Sequence, residues 1–444
     1  MRVIIAGEGD TGTHLAYTLS IENQDIVLIG SDKAHLSELE STYNIITYAG
    51  SPVSYTDLSR CGISEADLFV AVTSDENLNL IAAQTAKACG AKKCVARVDN
   101  PAFLYSKVTE IFNKNGIDAL IYPERLAAKE IHNYIRHNWV REWLDVNDGK
   151  LIVAGVKIGR SSTIVGRQLK ETASSPRYFH VSAIKRDDET VIPHGDTVIL
   201  EGDVLYFSVL PNNIDKLYEI CGNTQTNISK ILISGGGRVT ENLLEKIKSD
   251  YDITVIESDT ERCNYIAGKF QDITVVNTKA NDVTTLKDEG LEHCDLFLAL
   301  TGSSEKNIVS CMVAREHGIK KTLARIEELQ FIPEAESLSI DKIINKKLLN
   351  VSKILDSLVE THFDEAQCVL LDRAEIIKLT AKQGSKIVSK PVCELSLPTG
   401  ITIGGIIRDG EGMLVEGRTC IKPGDNVLVF CNIGSLPKIE KLFR

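Results

Sequence analysis

The sequence predicts an α/β architecture of two doubly wound parallel sheets in tandem, each followed by a smaller α+β lobe. Three observations predict it. Short β-branched runs alternate with helical patterns, the alternation occurs twice at a fixed displacement, and a glycine-rich turn follows the first strand of each copy. The segment Asp67–Thr73 (DLFVAVT) returns as Asp295–Thr301 (DLFLALT), and Gly90–Arg97 returns as Gly318–Arg325, both displaced by 228 positions. The opening Arg2–Gly7 matches Lys230–Gly235 at the same spacing.

Within the first copy the order runs Val3–Ala6 as a strand, a helix from about Thr11 to Leu19, Asp25–Ile29 as a strand, and so on to Val95–Val98. Strand and helix in alternation predict parallel pairing with helices on both faces. A second repeat links the regions that follow. Ile184, Arg186, Gly195, Gly202 and Asp203 correspond to Ile406, Arg408, Gly417, Gly424 and Asp425, displaced by 222. There, Thr197–Leu200 and Val204–Phe207 read as short strands divided by a tight turn at Glu201-Gly202-Asp203. The polar stretch Gly222–Asn227 carries turn formers and no apolar anchor, which marks the joint between the halves. The expected division is 1–140, 141–222, a linker at 223–228, 229–364 and 365–444.

Bulk composition narrows the function classes. With 444 residues, 43% hydrophobic and 25% charged, the chain has the make-up of an ordinary globular protein too long for one core. No apolar run reaches the roughly 18 to 20 residues that cross a bilayer. Met1-Arg2 leads straight into the first strand without the apolar stretch of a signal peptide, so a cytoplasmic location is expected. Eleven cysteines without a C-x-x-C pair read as reduced, structural thiols rather than a metal site. A net charge of -11 and the lack of a basic cluster argue against nucleic acid.

Chemistry concentrates at the ends of the predicted strands. Gly7-Glu8-Gly9-Asp10-Thr11-Gly12 is a G-x-G-x-x-G directly after a strand and before a helix, the turn of a Rossmann nucleotide-binding fold. Its first glycine permits the tight turn, its second lets a pyrophosphate approach the backbone, and its third packs helix against strand. The second copy reads Gly235-Gly236-Gly237-Arg238-Val239-Thr240, and Thr240 in the third glycine's place is expected to ease helix and strand apart. A carboxylate at the end of the second strand accepts from ribose hydroxyls in this fold. Glu257 stands there in the second half, whereas in the first half Ile29 is followed by Gly30, with Asp32 the nearest acid. The first site is therefore expected to hold its ribose weakly or to prefer another nucleotide. Thr73, Ser74, Thr301 and Gly302 follow the fourth strands, where they line a ligand crevice, cap the next helix, or both. Arg97 and Arg325 close the fifth strands, within reach of a phosphate or ribose or else of a salt-bridge partner.

No catalytic constellation is visible. The chain has no G-x-S-x-G elbow, H-E-x-x-H helix or Walker loop, and its nine histidines are scattered. His293-Cys294 looks reactive as a pair, but it precedes a strand and is Glu65-Ala66 in the first copy. An NAD-dependent oxidoreductase remains the rival from another class, and it would need an acid or base that the sequence does not display.

Taken together, the duplicated glycine turn, the duplicated D-L-F-[VL]-A-[VL]-T strand, the Ala-Arg ending of the fifth strand and the paired G-D turns closely resemble the family of Trk-type potassium uptake regulators. These are peripheral NAD-binding proteins of two tandem RCK (regulator of conductance of potassium) units, each with a Rossmann N-lobe and a C-lobe. The resemblance spans essentially the whole chain. It implies a regulatory subunit that self-associates into a ring, as a dimer or tetramer, beneath a separate membrane-embedded potassium channel or transporter. It implies NAD(H) as cofactor, with ATP or ADP as further candidates, and neither a catalytic residue nor a metal ligand. By position the nucleotide would lie on Gly7, Glu8, Gly9, Asp10, Thr11, Gly12, Asp32, Thr73, Ser74 and Arg97. In the second half it would lie on Gly235, Gly236, Gly237, Arg238, Val239, Glu257, Thr301 and Arg325. Gly30 and Lys279, where such domains often carry acids, leave the nucleotide at each site open, and a regulator of another cation transporter stays an alternative. Periodicity further suggests that the helices near 119–135 and 348–359 are swapped or packed between neighbouring units.

Overall fold

The computed structural model describes residues 1–21, 24–172, 177–186, 189–223, 225–278, 291–338, 340–359, 367–371, 374–432 and 434–443. Lys279 lies outside them. Four sheets follow in chain order. The first holds β1 (Arg2–Ala6), β2 (Asp25–Gly30), β3 (Ile46–Ala49), β4 (Leu68–Ala71), β5 (Lys93–Arg97) and β6 (Ala119–Ile121), all parallel, in the order β3-β2-β1-β4-β5-β6. The second is antiparallel, β10-β9-β11-β8-β7, from β7 (Glu142–Val146), β8 (Leu151–Lys157), β9 (Phe179–Arg186), β10 (Glu189–Val191) and β11 (Val204–Val209).

The third repeats the first, in the order β14-β13-β12-β15-β16-β17, from β12 (Lys230–Ser234), β13 (Asp252–Glu257), β14 (Thr274–Asn277), β15 (Leu296–Ala299), β16 (Lys321–Arg325) and β17 (Lys342–Ile344). The fourth repeats the second, in the order β18-β19-β22-β20-β21, from β18 (Gln367–Leu371), β19 (Ala374–Thr380), β20 (Ile401–Arg408), β21 (Glu411–Leu414) and β22 (Asn426–Asn432). The reversal of strand order between β1 and β4, and between β12 and β15, opens a crevice at the carboxyl edge of each parallel sheet. The strands there are buried on both faces, which is why they read as continuous apolar runs.

One expected strand does not join a sheet. Thr197–Leu200 makes a single bridge, Gln168 to Val198. One edge of it bonds to the backbone of residues 166–169, with Ile199 N donating to Arg167 O and Leu169 N to Thr197 O, both at 3.0 Å, while on the other edge side chains take the groups a neighbouring strand would need: Asp203 accepts the Leu200 N–H at 2.8 Å, and Arg186 donates to the Val198 carbonyl at 2.8 Å. Arg186 and Asp203 themselves form a two-pronged pair, 2.8 Å on each prong. Arg408 and Asp425 repeat it at 2.8 and 2.6 Å, so the arginine and aspartate that helped mark the 222-residue repeat are turn clamps.

The chain forms two compact units, one of Met1–Tyr122, Leu144–Gly222 and Asn350–Arg444, the other of Pro123–Trp143 and Asn223–Leu349. In the first unit the two antiparallel sheets share a core that joins Leu151, Val153, Ala183 and Tyr206 to Ile376, Ile407, Leu428 and Phe430. A Cβ on Gly404 there would stand 2.4 Å from Ser208 Oγ and 2.6 Å from the Phe430 ring, so only glycine lets the layers close. In the second unit the Pro123–Arg136 helix, which follows the first parallel sheet in sequence, buries Ala127, Ala128, Ile131, Tyr134 and Ile135 with Ile231, Ile233, Val239 and Leu243 of the second. Conversely, the Lys346–Val359 helix from Asn350 onward belongs with the first parallel sheet, where Lys93 Nζ donates to the Ser357 carbonyl at 3.4 Å. The first helix thus packs on the other half's sheet, and the second from Asn350 onward falls in the other half's unit.

The crossover segment in the second unit is pinned electrostatically as well. Lys342, 6% exposed, reaches Glu130 at 2.9 Å and Glu142 at 3.0 Å and donates to the Arg141 carbonyl at 2.7 Å. Asn138 holds the expected joint by exchanging two hydrogen bonds with the Thr226 backbone, at 2.9 and 2.8 Å.

Candidate functional site

The first crevice is built on the turn after β1. Gly7 has φ +119°, and a Cβ there would lie 2.9 Å from Thr73 N, so the turn and the segment after β4 meet only through glycine. Gly12 opens the Asp10–Ile21 helix so close to the turn that a Cβ would stand 1.8 Å from Gly7 O. Gly9 differs, because a Cβ on it would meet nothing within 4 Å. That open cradle adjoins the helix N-terminus, where the backbone N–H groups and the dipole favour an anion.

Where Gly30 left the end of β2 without an acid, the structure supplies one from the turn. Glu8 Oε1 accepts from Ser31 N at 2.7 Å, Ser31 Oγ at 3.0 Å and Asp32 N at 2.9 Å. Partial burial pushes the Glu8 carboxyl up, but the N–H groups of Asp32 and Ser31 and the Ser31 hydroxyl outweigh it and hold the carboxyl below its ordinary range. Asp32, expected as the acid nearest the ligand, caps the Lys33–Thr42 helix by accepting from Ala34 N and His35 N. His35 Nε2 in turn lies 3.1 Å from Glu8 O.

The second crevice reverses this arrangement. Glu257 ends β13 and accepts from Gly236 N at 2.7 Å and Asp259 N at 2.9 Å. Gly236 occupies the position of Glu8, and a Cβ on it would fall 3.2 Å from the Glu257 side chain and 2.6 Å from Ile266. Gly235 repeats Gly7 with φ +106° and an approach of 2.9 Å to Thr301 N, and Gly237 repeats the open cradle of Gly9. Arg238 and Val239 begin the helix, exposed and buried respectively. At the third glycine position Thr240 donates its hydroxyl to Gly235 O at 2.5 Å, the atom equivalent to the one a Cβ on Gly12 would strike. Arg262 stands where the first half has His35, donating to Gly236 O and pairing with Glu241 at 2.6 Å.

Thr73 and Thr301 do not cap the helices that follow; Asp75 and Ser303 do. Each threonine is tied to a buried asparagine that sequence reasoning missed. Asn79 accepts from Thr73 N at 2.8 Å and Thr73 Oγ1 at 2.7 Å, and donates to Thr73 O at 3.1 Å and Arg97 O at 3.0 Å. Asn307 makes the same four bonds to Thr301 and Arg325. The signal was present, since Asn79 and Asn307 obey the same displacement of 228. Ser74 beside Thr73 is exposed.

Arg97 and Arg325 both have acidic partners. Arg97 pairs with Asp99 at 3.0 Å. Arg325 pairs with Glu327, which faces Lys346 at 3.7 Å, and Lys346 pairs with Glu124 at 3.1 Å. Burial pushes the Cys294 thiol up to about 12, so the His293-Cys294 pair offers no thiolate near neutral pH. Among the described residues no cluster of three or more His, Cys, Asp or Glu is placed to hold a metal ion, and no helix is long and apolar enough to cross a membrane.

A family model described as the TrkA-N domain matches residues 3–123 and 231–346, and one described as the TrkA-C domain matches 153–222 and 376–444. The Trk system potassium uptake protein TrkA homolog 1 of Methanosarcina mazei is 29% identical over 100% of both chains. The Trk system potassium uptake protein TrkA of Halomonas elongata is 28% identical over 100% of this chain and 99% of its own. In fold, the chain resembles a GsuK channel bound to NAD, with a TM-score of 0.62 and 16% identity over 100% of this chain and 78% of that one.

Proposed function

This chain belongs to the TrkA family of Trk-system potassium uptake proteins, with its TrkA-N and TrkA-C domains each present twice, and we propose that it is the nucleotide-binding regulatory subunit of such a system. In this reading it binds NAD(H), with ATP or ADP competing, and gates a separate membrane-embedded potassium channel or transporter from the cytoplasmic side. The observation that carries the reading is the pair of open glycine cradles, at Gly9 and Gly237, each between a helix N-terminus and a carboxylate. A pyrophosphate fits the cradle and a ribose diol fits the carboxylate. The candidate contacts are those named from sequence, with Glu8 as the acid of the first half.

Regulation needs a ligand that binds two conformations unequally, and a coupling of about 1 to 3 kcal/mol shifts an equilibrium some five- to 150-fold. Self-association into a ring gives the subunit such conformations. Calorimetric titration of the full chain with NAD, NADH, ADP and ATP tests the reading. Saturable binding without consumption of the nucleotide is expected, and turnover of NADH with any small carbonyl substrate would replace gating with catalysis.

A further inference from the structure

We propose that Glu8 is the ribose-binding carboxylate of the first half, supplied from the glycine turn instead of the strand end, and that Gly30 is the space that admits it. The inference rests on reading the first half as a nucleotide site. It assigns that site a ligand class: nucleotides with a free 2′,3′-diol, to the exclusion of those carrying a 2′-phosphate.

The two halves are reciprocal. In the second, the acid stands at the end of β13 as Glu257, and the turn residue facing it is Gly236. In the first, the turn carries the acid as Glu8, and the end of β2 is Gly30. A Cβ on Gly30 would fall 2.2 Å from Glu8 Oε2, so the carboxylate fills the volume where a side chain of residue 30 would begin. A Cβ on Gly236 would crowd the Glu257 side chain at 3.2 Å and strike Ile266 at 2.6 Å. Each crevice thus has room for one carboxylate and holds one, rooted on opposite sides.

The partners match as well. Glu8 accepts from Ser31 and Asp32 at the start of the segment after β2, and Glu257 accepts from Ser258 Oγ and Asp259 N at the equivalent place. On Glu8 all three of these bonds go to Oε1. An ionised carboxylate only accepts hydrogen bonds, so it selects a diol with two O–H donors and repels a phosphate ester at the same carbon.

The test uses the full chain carrying Gly237→Val, which fills the second cradle so that calorimetry with ADP reports the first half alone. Glu8→Ala is expected to weaken ADP about ten- to hundred-fold, the effect of losing hydrogen bonds to a charged group. It should leave 2′,3′-dideoxy-ADP unchanged, because that ligand never used the carboxylate. The double variant Glu8→Gly/Gly30→Glu, which transplants the second half's arrangement, should recover ADP affinity and so separate loss of the acid from damage to the turn. Unchanged ADP affinity in Glu8→Ala, or equal losses for ADP and the dideoxy analogue, would overturn the assignment while leaving the first half a nucleotide site. If the Gly237→Val chain binds no nucleotide, and Gly9→Val in its place retains full binding, the first half is not a site and the proposal falls with that reading.

Discussion

Replacing Asn79 with alanine isolates the part of the first crevice that the nucleotide itself does not build. The side chain is 1% exposed and closes four hydrogen bonds between the segment after β4 and the end of β5. The Thr73 hydroxyl has a second partner in Asp75 O at 3.1 Å, so three backbone groups lose their partner outright: Thr73 N, Thr73 O and Arg97 O. At about 1 kcal/mol net for each, the loss is about 3 kcal/mol, roughly a hundred-fold in the local opening equilibrium. Hydrogen exchange followed by mass spectrometry on a peptide spanning residues 72–79 reads this directly, with the β1 amides as an internal reference. Asn307→Ala should act in the same way on residues 300–307. Nucleotide affinity at the mutated half should fall alongside, because Thr73 N packs against Gly7 of the turn. Exchange within about threefold of the parent would refute the reasoning, since the buried groups would then be finding other partners at no cost.

Other perturbations test the packing that positions the crevices. Lys342→Met removes a buried cation from between Glu130 and Glu142 and should cost about 3 to 5 kcal/mol in a urea transition of the second unit. Gly404→Ala forces a methyl into contact with Ser208, Phe430 and Ser182 and should cost about 1 to 3 kcal/mol, read as a lower thermal midpoint of the first unit. Burial, with Arg177 adding to it, pushes the His180 imidazole down to about 4. Between pH 6.5 and about 4 the unfolded chain therefore binds the proton that the folded chain refuses, so this contribution to stability is complete above pH 6.5 and drains away as pH falls through that window. His180→Phe should flatten the pH dependence there, as measured by thermal melts across pH 4 to 7.

Most of the fold was legible because it is written twice. The repeated strand at Asp67–Thr73 and Asp295–Thr301 fixed β4 and β15, and alternation with helices fixed parallel pairing. Thr197–Leu200 misled because its β-branched composition suits a strand, and it does bond along one edge to residues 166–169, while Arg186 and Asp203 occupy its other edge, a competition that no local pattern displays. At the site, the glycines were readable from the constraint each satisfies. The role of Glu8 was not, because a carboxylate was sought on the strand where this fold usually places it, and its three-dimensional equivalence to one rooted 22 residues later becomes visible only when Gly30 and Gly236 are seen as the spaces opposite. Comparing the two halves position by position carried that information in principle, as it did for Asn79 and Asn307.

In the proposed role, nucleotide occupancy of this chain sets potassium movement through a separate membrane protein. The most direct measurement is potassium flux into vesicles holding that membrane partner, with and without the full chain, titrated with NAD, NADH, ADP and ATP in turn. The expected flux responds to at least one nucleotide only when the chain is present, and the response is lost when Gly9→Val and Gly237→Val fill both cradles. Flux that ignores every nucleotide, or responds equally with both cradles filled, would contradict it.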